Sequence, residues 1–293
     1  MQGKLVKKLK DTFDLNDHSQ NELQNTLNRL GKTIKKRNEN SIIQFPLWPE
    51  VKRGTPNSFL RSALFSAIQG KDRMYMEEVT LFSQKGITVK YTGMQLNQED
   101  LTLWETLAYL AKPYPLGNEC VLTAHSILKE LGLPTGGKNH KVLHSGIIRL
   151  TACAVEIMHE GRVFFGSMIE GGVKDEVTSF YNIRLNRDLI KLYGNTQWTA
   201  IDWQQRLALR RKPLAQYLHG YYSSHLEPYP VKISTLHGLA GSQNSQLKDF
   251  KRQVKAALEA LVSIGFLQSY QIEGDLVSVK RVQKSLSSDS IKR

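Results

Sequence analysis

Apolar positions recur with helical spacing over one long basic segment, residues 246–264. The positions of this stripe are Leu247, Phe250, Val254, Ala257, Leu258 and Leu261. Because they lie three or four residues apart, they share one face of a predicted helix. The basic residues Lys248, Lys251, Arg252 and Lys255 fall off that face. Ser245 suits the N-cap position before the helix, and Gly265 suits the left-handed position after it.

The segments around this helix follow the order of a winged helix-turn-helix. A short apolar segment, residues 233–239, and a Gly/Ser/Asn break at 241–245 precede it. Two strand patterns, residues 266–272 and 276–280, follow it and predict a hairpin. Such an arrangement presents one helix to a DNA major groove and a hairpin to the flanking backbone. A merely solvated face is the alternative explanation of a basic helix.

An earlier part of the chain repeats this order. A short helix at 124–131 leads through a Gly-rich break at 132–137 into a second helix at 138–152. Strand patterns at 153–159, 162–169 and 177–185, with turns at 160–161 and 170–172, predict its β wing. The two copies share order rather than sequence. Together they predict an α+β fold with tandem winged helix-turn-helix domains.

Other patterns add elements around the two copies. Residues 59–69 predict a helix, 79–83 and 87–91 predict a hairpin, and a further helix begins near Asn97 and ends at Pro113. The aromatic residues of the segment 45–49 mark the start of packed structure. Between the copies, the predicted core positions are Trp203, Leu207, Leu209, Leu214, Tyr217, Leu218 and Tyr221.

These patterns divide the chain into four parts. Residues 1–40 are polar and carry basic clusters, with too little apolar surface to hold a fold, so we expect a flexible basic N-terminal arm. Residues 41–190 are expected to form the first winged-helix domain, and residues 191–281 the second. Residues 282–293, rich in Ser and charge, are expected to be a disordered tail.

Charge favours a polyanionic partner. The 293 residues include 40 Lys+Arg and 27 Asp+Glu, giving a formal net charge of +13. We therefore expect nucleic acid before membrane as the partner. No apolar run approaches the roughly 18 residues of a membrane span, and no signal-peptide core is present. Cys120 and Cys153 form no CxxC pair and are expected to be buried thiols in a reducing cytoplasm.

Motifs for catalysis are weak. Gly31-Lys32-Thr33 ends like a phosphate-binding loop, but Thr26 stands where that loop needs glycine. His140 and His144 lie one helical turn apart, yet Lys141 replaces the glutamate of a metalloprotease and no third zinc ligand is near. Two imidazoles that touch phosphate are the preferred interpretation. We expect no enzyme, no cofactor and no metal site.

Four motifs resemble the TrfA-type plasmid replication initiators. They are residues 45–50 (FPLWPE), 61–65 (RSALF), 89–93 (VKYTG) and 222–230 (YSSHLEPYP). The likeness covers about residues 45–280 and implies two winged helices. It also implies a bacterial initiator that binds double-stranded direct repeats (iterons) at a plasmid origin, opens adjacent A·T-rich DNA and recruits the host replicative helicase and sliding clamp. A monomer–dimer balance, with the dimer restraining copy number, belongs to the same implication.

The resemblance, carried over by position, assigns candidate DNA contacts. In the second domain these are Lys248, Lys251, Arg252 and Lys255, with Gln243, Asn244, Ser245 and Gln246 at the end of the helix that approaches base edges. In the first domain they are Lys138, Asn139, Lys141, His144 and Arg149. The resemblance implies that this domain contacts mainly the DNA backbone. The same domain is also expected to form the dimer interface.

Two further points stay open at this stage. Val79-Thr80-Leu81-Phe82 is the nearest match to the clamp-binding motif of such initiators, but core packing explains Leu81 and Phe82 better. The fold alone equally allows a transcriptional repressor (autoregulator), and a nicking enzyme is a third possibility. Direct repeats near the gene would favour the initiator, since a repressor dimer faces an inverted repeat.

Overall fold

The computed structural model describes residues 45–115, 119–194 and 197–282. These residues fall within one compact unit, Gln44–Arg293. The predicted arm at 1–40 and the predicted tail beyond residue 282 lie outside the described residues. The boundaries between predicted domains stay predictions.

The first part of the described chain contains most of the strands. Its elements are β1 (Lys52–Pro56), α1 (Asn57–Leu60), β2 (Tyr75–Leu81), β3 (Ile87–Met94), α2 (Gln98–Ala111), β4 (Glu119–Thr123), α3 (Ala124–Glu130), α4 (Gly137–Thr151), β5 (Ala154–His159), β6 (Arg162–Gly166), β7 (Ile169–Lys174) and β8 (Phe180–Leu185). Helix α2 starts where the sequence predicts, because Asn97 and Asp100 form a reciprocal capping box. Two short 3₁₀ helices, Gly70–Asp72 and Arg187–Tyr193, connect elements.

The second part is mostly helical. Its elements are β9 (Trp198–Asp202), α5 (Trp203–Ala208), α6 (Pro213–Ser223), β10 (Val231–Lys232), α7 (Ile233–Leu239), α8 (Leu247–Ser263), β11 (Leu267–Glu273) and β12 (Leu276–Arg281). Proline at the first position of α6 supplies a preset backbone angle for the helix start.

Two winged helices with the same topology confirm the predicted fold class. Each consists of a long helix, a short strand, a short helix, a turn, a longer helix and two wing strands. In each, the strand before the short helix pairs antiparallel with the last wing strand, giving sheet orders β4-β8-β7 and β10-β12-β11. The structure is thus α+β, with the winged helix-turn-helix repeated in tandem.

The wing predicted for the first copy is partly wrong. The strands predicted at 153–159 and 162–169 form β5 and β6, but these pair with the earlier hairpin in a four-stranded sheet of order β2-β3-β5-β6. The wing is β7 and β8, and β7 includes the positions predicted as the turn 170–172. Gly172 serves close strand approach there, since a Cβ would lie 2.5 Å from the Asn182 carbonyl oxygen.

The helix predicted over 59–69 is also wrong. Only Asn57–Leu60 is helical, although Phe59, Leu64 and Phe65 are buried as the apolar pattern requires. Serine hydroxyls bond the backbone instead: Ser62 Oγ donates to the Ser58 carbonyl at 2.6 Å, and Ser66 Oγ donates to the Ala63 carbonyl at 3.0 Å. Such local bonds compete with helix and favour turns.

The predicted core positions pack largely as expected. In the second winged helix the α8 stripe of Phe250, Val254 and Leu258 packs against α6 and α7. Trp203, Leu209, Leu214, Tyr217, Leu218 and Tyr221 are buried, whereas Leu207 is only half-buried. Near the start of the described chain, Phe45 and Trp48 are buried and pack against Tyr193, as the 45–49 segment predicts.

A buried ion pair joins α2 of the first winged helix to α5, the helix that precedes the second winged helix. Arg206 of α5 and Glu105 of α2 are both fully buried, with Nε and Oε2 2.6 Å apart. The Thr55 hydroxyl donates to the other carboxylate oxygen at 2.7 Å. Burial raises the pKa of Glu105, and the Arg206 charge opposes that rise.

The motif at 222–230 meets the motif at 61–65. The Arg61 guanidinium donates to the hydroxyl and to the carbonyl of Ser224, at the C-terminal end of α6. From the wing, Arg281 donates to the carbonyls of Tyr222, Ser223 and Leu226. Two arginines therefore satisfy the free carbonyls at this helix end, where positive charge is favourable. These motif residues hold the two halves together rather than forming a surface site.

Candidate nucleic-acid interface

Helix α8 starts and ends at well-defined positions. At its C-terminal end, Gly265 adopts φ 69°, and the amides of Gly265 and Phe266 donate to the carbonyls of Val262 and Leu261. This Schellman arrangement confirms the predicted role of Gly265. The predicted N-cap at Ser245 is wrong: Gln246 is the cap residue and makes no side-chain capping bond. Asp249 in the first turn instead supplies negative charge near the free amides.

Three cations share the outer face of α8. Lys248, Arg252 and Lys255 are exposed and lie at positions i, i+4 and i+7, so their side chains project from one side of the helix. Arg252 forms an exposed ion pair with Asp249 at 2.5 Å. Exposed pairs contribute little stability, so Arg252 can exchange this partner for a phosphate. The face ends at Glu259, one turn after Lys255.

Lys251 has a different environment from the other three. Its ammonium group donates to the Gly274 carbonyl in the turn between β11 and β12, so it ties α8 to its wing. The same turn carries the exposed carboxylates of Glu273 and Asp275. These carboxylates disfavour the approach of phosphate to the tip of this wing.

The predicted base-reading residues before α8 divide into two pairs. The Gln243 amide donates to the Asp72 carbonyl at 2.9 Å, and the Asn244 amide donates to Gln253 Oε1 at 2.8 Å. Both side chains therefore hold the turn. Ser245 and Gln246 are exposed, and their side chains form no hydrogen bond within the described residues. The latter two are available for base edges.

In the first copy, α4 exposes two of its predicted contacts. Lys138 and Lys141 are exposed, while the Asn139 amide donates to the Pro134 carbonyl at 2.7 Å and closes the preceding turn. His144 Nδ1 lies 3.4 Å from the Tyr181 hydroxyl of β8, so this side of the helix faces its own wing.

Arg149 is engaged inside the protein. Its guanidinium donates twice to Asp100 Oδ1, at 3.0 and 2.8 Å, and Arg73 pairs with the other oxygen of the same carboxylate. Asp100 lies 49 positions earlier in the chain, on α2, so local sequence pattern could not reveal this pair. Arg149 therefore anchors α4 to α2. Of the cations predicted to contact DNA from α4, Lys138 and Lys141 are the exposed ones.

The sequence analysis did not predict one basic run. Arg210, Arg211 and Lys212 connect α5 to α6, and Arg211 and Lys212 are exposed. Three consecutive cations between two apolar segments are the signal that could have found them.

Other chemistry is limited among the described residues. Cys120 and Cys153 are buried thiols that form no disulfide, as predicted, and burial raises the pKa of the Cys120 thiol to about 11. Within residues 45–115, 119–194 and 197–282, no group of three or more His, Cys, Asp or Glu side chains could hold a metal ion. In that same part of the chain, no helix combines the length and apolarity needed to cross a membrane.

Two winged helices in tandem, each with exposed cations on its longer helix, define the class of tandem winged-helix proteins. Within that class the chain belongs to the TrfA family, since the family model described as TrfA protein matches residues 7–281. The plasmid replication initiator protein TrfA of Escherichia coli is 28% identical over 257 residues, covering 82% of this chain. The match spans 65% of that relative, so the chain covers just under two thirds of its length.

Two solved structures share the fold. Domains 2 and 3 of RctB match with a TM-score of 0.52 and 15% identity, over 78% of this chain and 98% of that one. Pi initiator protein, solved in complex with iteron DNA, matches with a TM-score of 0.51 and 10% identity, over 81% of this chain and 100% of that one. At such identities the likeness establishes the fold alone.

Proposed function

We propose that this protein is a plasmid replication initiator that binds directly repeated double-stranded sequences (iterons) at a plasmid origin. The observation that carries the proposal is the outer face of α8, where Lys248, Arg252 and Lys255 project together beside a second winged helix of the same topology. Membership of the TrfA family supports it. So does the shared fold with Pi initiator protein, whose solved complex contains iteron DNA.

The roles of the two basic helices differ in this proposal. Helix α8 enters a major groove with Ser245 and Gln246 at base edges, while Lys248, Arg252 and Lys255 bind phosphates. Gln243, Asn244 and Lys251 position the turn and the wing. In the first winged helix, Lys138 and Lys141 contact the backbone, with His144 beside them.

Later steps of initiation belong to the same proposal. The chain would open adjacent A·T-rich DNA, recruit the host helicase and sliding clamp, and exchange between monomer and dimer, all without catalysing a reaction. The segment Val79-Thr80-Leu81-Phe82 is not assigned to the clamp, because it lies on and next to β2 and Leu81 is buried. Core packing is confirmed for Leu81 but is wrong for Phe82, whose side chain is 52% exposed beside Gly238. We place the protein on DNA in the bacterial cytoplasm.

Salt dependence of DNA binding tests the assignment of α8. Each lost phosphate contact should reduce the slope of log K against log salt by about 0.9. We expect Lys255→Ala to reduce the slope by that amount on a duplex that carries the repeats neighbouring the gene. Lys85→Ala is the matched control, since Lys85 is an exposed lysine in the turn between β2 and β3.

The arrangement of repeats separates an initiator from a repressor. Binding to single direct repeats, with an unchanged slope for Lys85→Ala, supports the proposal. A wild-type chain that binds only an inverted repeat would instead identify a repressor. An unchanged slope for the triple substitution Lys248→Ala, Arg252→Ala and Lys255→Ala would exclude α8 as the main DNA contact.

A further inference from the structure

The basic run Arg210–Lys212 lies next to the starts of both basic helices, α4 and α8. Arg210 and Arg211 line a groove together with Lys138 and Asn139, at the start of α4. Lys212 lines a second groove with Gln243, Asn244 and Gln253, at the start of α8. This turn therefore borders the N-terminal ends of both helices at once.

The wings lie on the other flanks of the two helices. His144 of α4 faces Tyr181 in its own wing, and Lys251 of α8 holds the turn of the other wing. The residues of α4 that border the basic run, Lys138 and Val142, lie on a different flank from His144. On each helix, the basic turn and the wing therefore lie on different flanks.

The turn keeps a strained backbone. Arg211 adopts φ 64°, in the left-handed region that favours glycine, at a cost of roughly 1–2 kcal/mol for other residues. Arg210 anchors the turn by donating to the Gly132 carbonyl at 2.9 Å, in the turn before α4. Glycine would relieve this strain, so the side chain of Arg211 can be removed without a backbone cost.

We propose that Arg211 and Lys212 form a third DNA contact, which binds backbone phosphates between the two major-groove segments that α4 and α8 occupy. This inference rests on the proposed function. The carboxylates of Glu99 and Asp72 line the two grooves. The contact is therefore assigned to the exposed outer side of the turn, where Arg211 and Lys212 reach solvent. Cations at this point fix the spacing of the two helices along the DNA without reading sequence.

The strained position offers a variant that loses charge without losing stability. Arg211→Gly removes the cation and relieves the left-handed strain, while Arg211→Lys keeps the charge. The probe is a duplex of about 30 base pairs that contains the sequence selected by the full wild-type chain from a randomised pool. We expect Arg211→Gly to weaken binding about tenfold near 0.1 M salt and to reduce the salt slope by about 0.9.

Controls isolate the contact from folding effects. Thermal unfolding of Arg211→Gly should occur at the wild-type temperature or higher, and Arg211→Lys should keep the wild-type slope. Lys85→Ala removes an equal charge from a distant exposed turn and should also keep the slope. Ethylation of phosphates between the two protected groove segments should weaken binding of the wild-type chain but not of the double variant Arg211→Gly, Lys212→Ala.

The two proposals fail in different ways. A wild-type chain that selects no sequence from the pool would overturn the proposed function. A wild-type chain that selects a repeat, with Arg211→Gly binding it at an unchanged slope and no ethylation effect between the groove segments, would overturn only the role of the turn.

Discussion

His219 is a fully buried histidine in the middle of α6. Its ring packs edge-on against Phe266 with centroids 4.6 Å apart, and its Nε2 lies 3.3 Å from Gln205 Oε1. Burial, with a smaller contribution from the Arg206 charge, lowers the pKa of His219 to about 3. The ring is therefore neutral in the folded protein at every pH above that value.

This residue should make stability depend on pH. Unfolded histidine has a pKa of about 6.5, so between pH 6.5 and 3 the unfolded chain binds a proton that the folded chain does not. The stabilisation is fully present above pH 6.5 and decreases as the pH falls through this window. Replacing His219 with Gln should flatten the dependence of unfolding free energy by up to about 1.4 kcal/mol per pH unit.

Urea unfolding at several pH values between 4 and 6.5 measures this slope. His125→Gln is the matched control, because His125 is exposed on α3. Parallel curves for wild type and His219→Gln would contradict the assignment of a neutral buried ring.

At the scale of elements, two glycines with similar angles should respond differently to substitution. Gly265 (φ 69°) and Gly241 (φ 57°) are both left-handed. A Cβ at Gly265 meets no atom within 4 Å, but a Cβ at Gly241 would lie 2.5 Å from Ser66 Oγ. Gly265→Ala should therefore cost about 1–2 kcal/mol of unfolding free energy, the backbone cost alone. Gly241→Ala should cost more, because Ser66 must also move.

DNA binding separates the two glycines further. The turn at Gly241 leads into α8 and packs against Ala63 and Ser66, in the segment between α1 and β2. Gly241→Ala should displace this turn and so weaken DNA binding even where the variant is fully folded. Gly265→Ala should leave DNA affinity unchanged. If the two variants lose equal unfolding free energy, Ser66 can move aside without an energetic penalty.

The sequence pattern predicted those elements that are determined by neighbouring residues in the chain. The α8 stripe, Gly265 and the following hairpin were found within one or two residues, because apolar spacing and a left-handed glycine act within a single element. The exposure of Lys248, Arg252 and Lys255 follows from the same stripe. These parts of the candidate site needed no knowledge of distant contacts.

The sequence pattern could not predict which distant strands and side chains pair with each other. The strand β5 pairs with β3, for instance Ile157 with Val89, and the alternation within β5 is the same whichever strand it joins. Arg149 likewise shows helical spacing typical of a surface cation, but Asp100 on another helix captures it. In each case the partner lies far away in the chain.

At the whole-molecule scale, one buried ion pair, Glu105–Arg206, links α2 of the first winged helix to α5. Glu105→Gln keeps the size of the side chain but leaves the Arg206 charge buried without its counterion. Removing one partner of such a pair costs roughly 3–5 kcal/mol. Because the arginine stays charged, we expect this loss of unfolding free energy at every pH between 5 and 8. Asp249→Asn, which breaks an exposed pair, should cost under about 1 kcal/mol.

Arg206→Met should behave differently from Glu105→Gln, since a carboxyl group can take up a proton. Burial already raises the pKa of Glu105, and without Arg206 nothing of equal strength opposes that rise. The folded variant would then hold a proton that the unfolded chain releases near pH 4.3, so its stability should decrease as the pH rises above that value. Denaturant unfolding from pH 5 to 8 compares the two variants directly. Losses that are equal and independent of pH would mean that water reaches the pair.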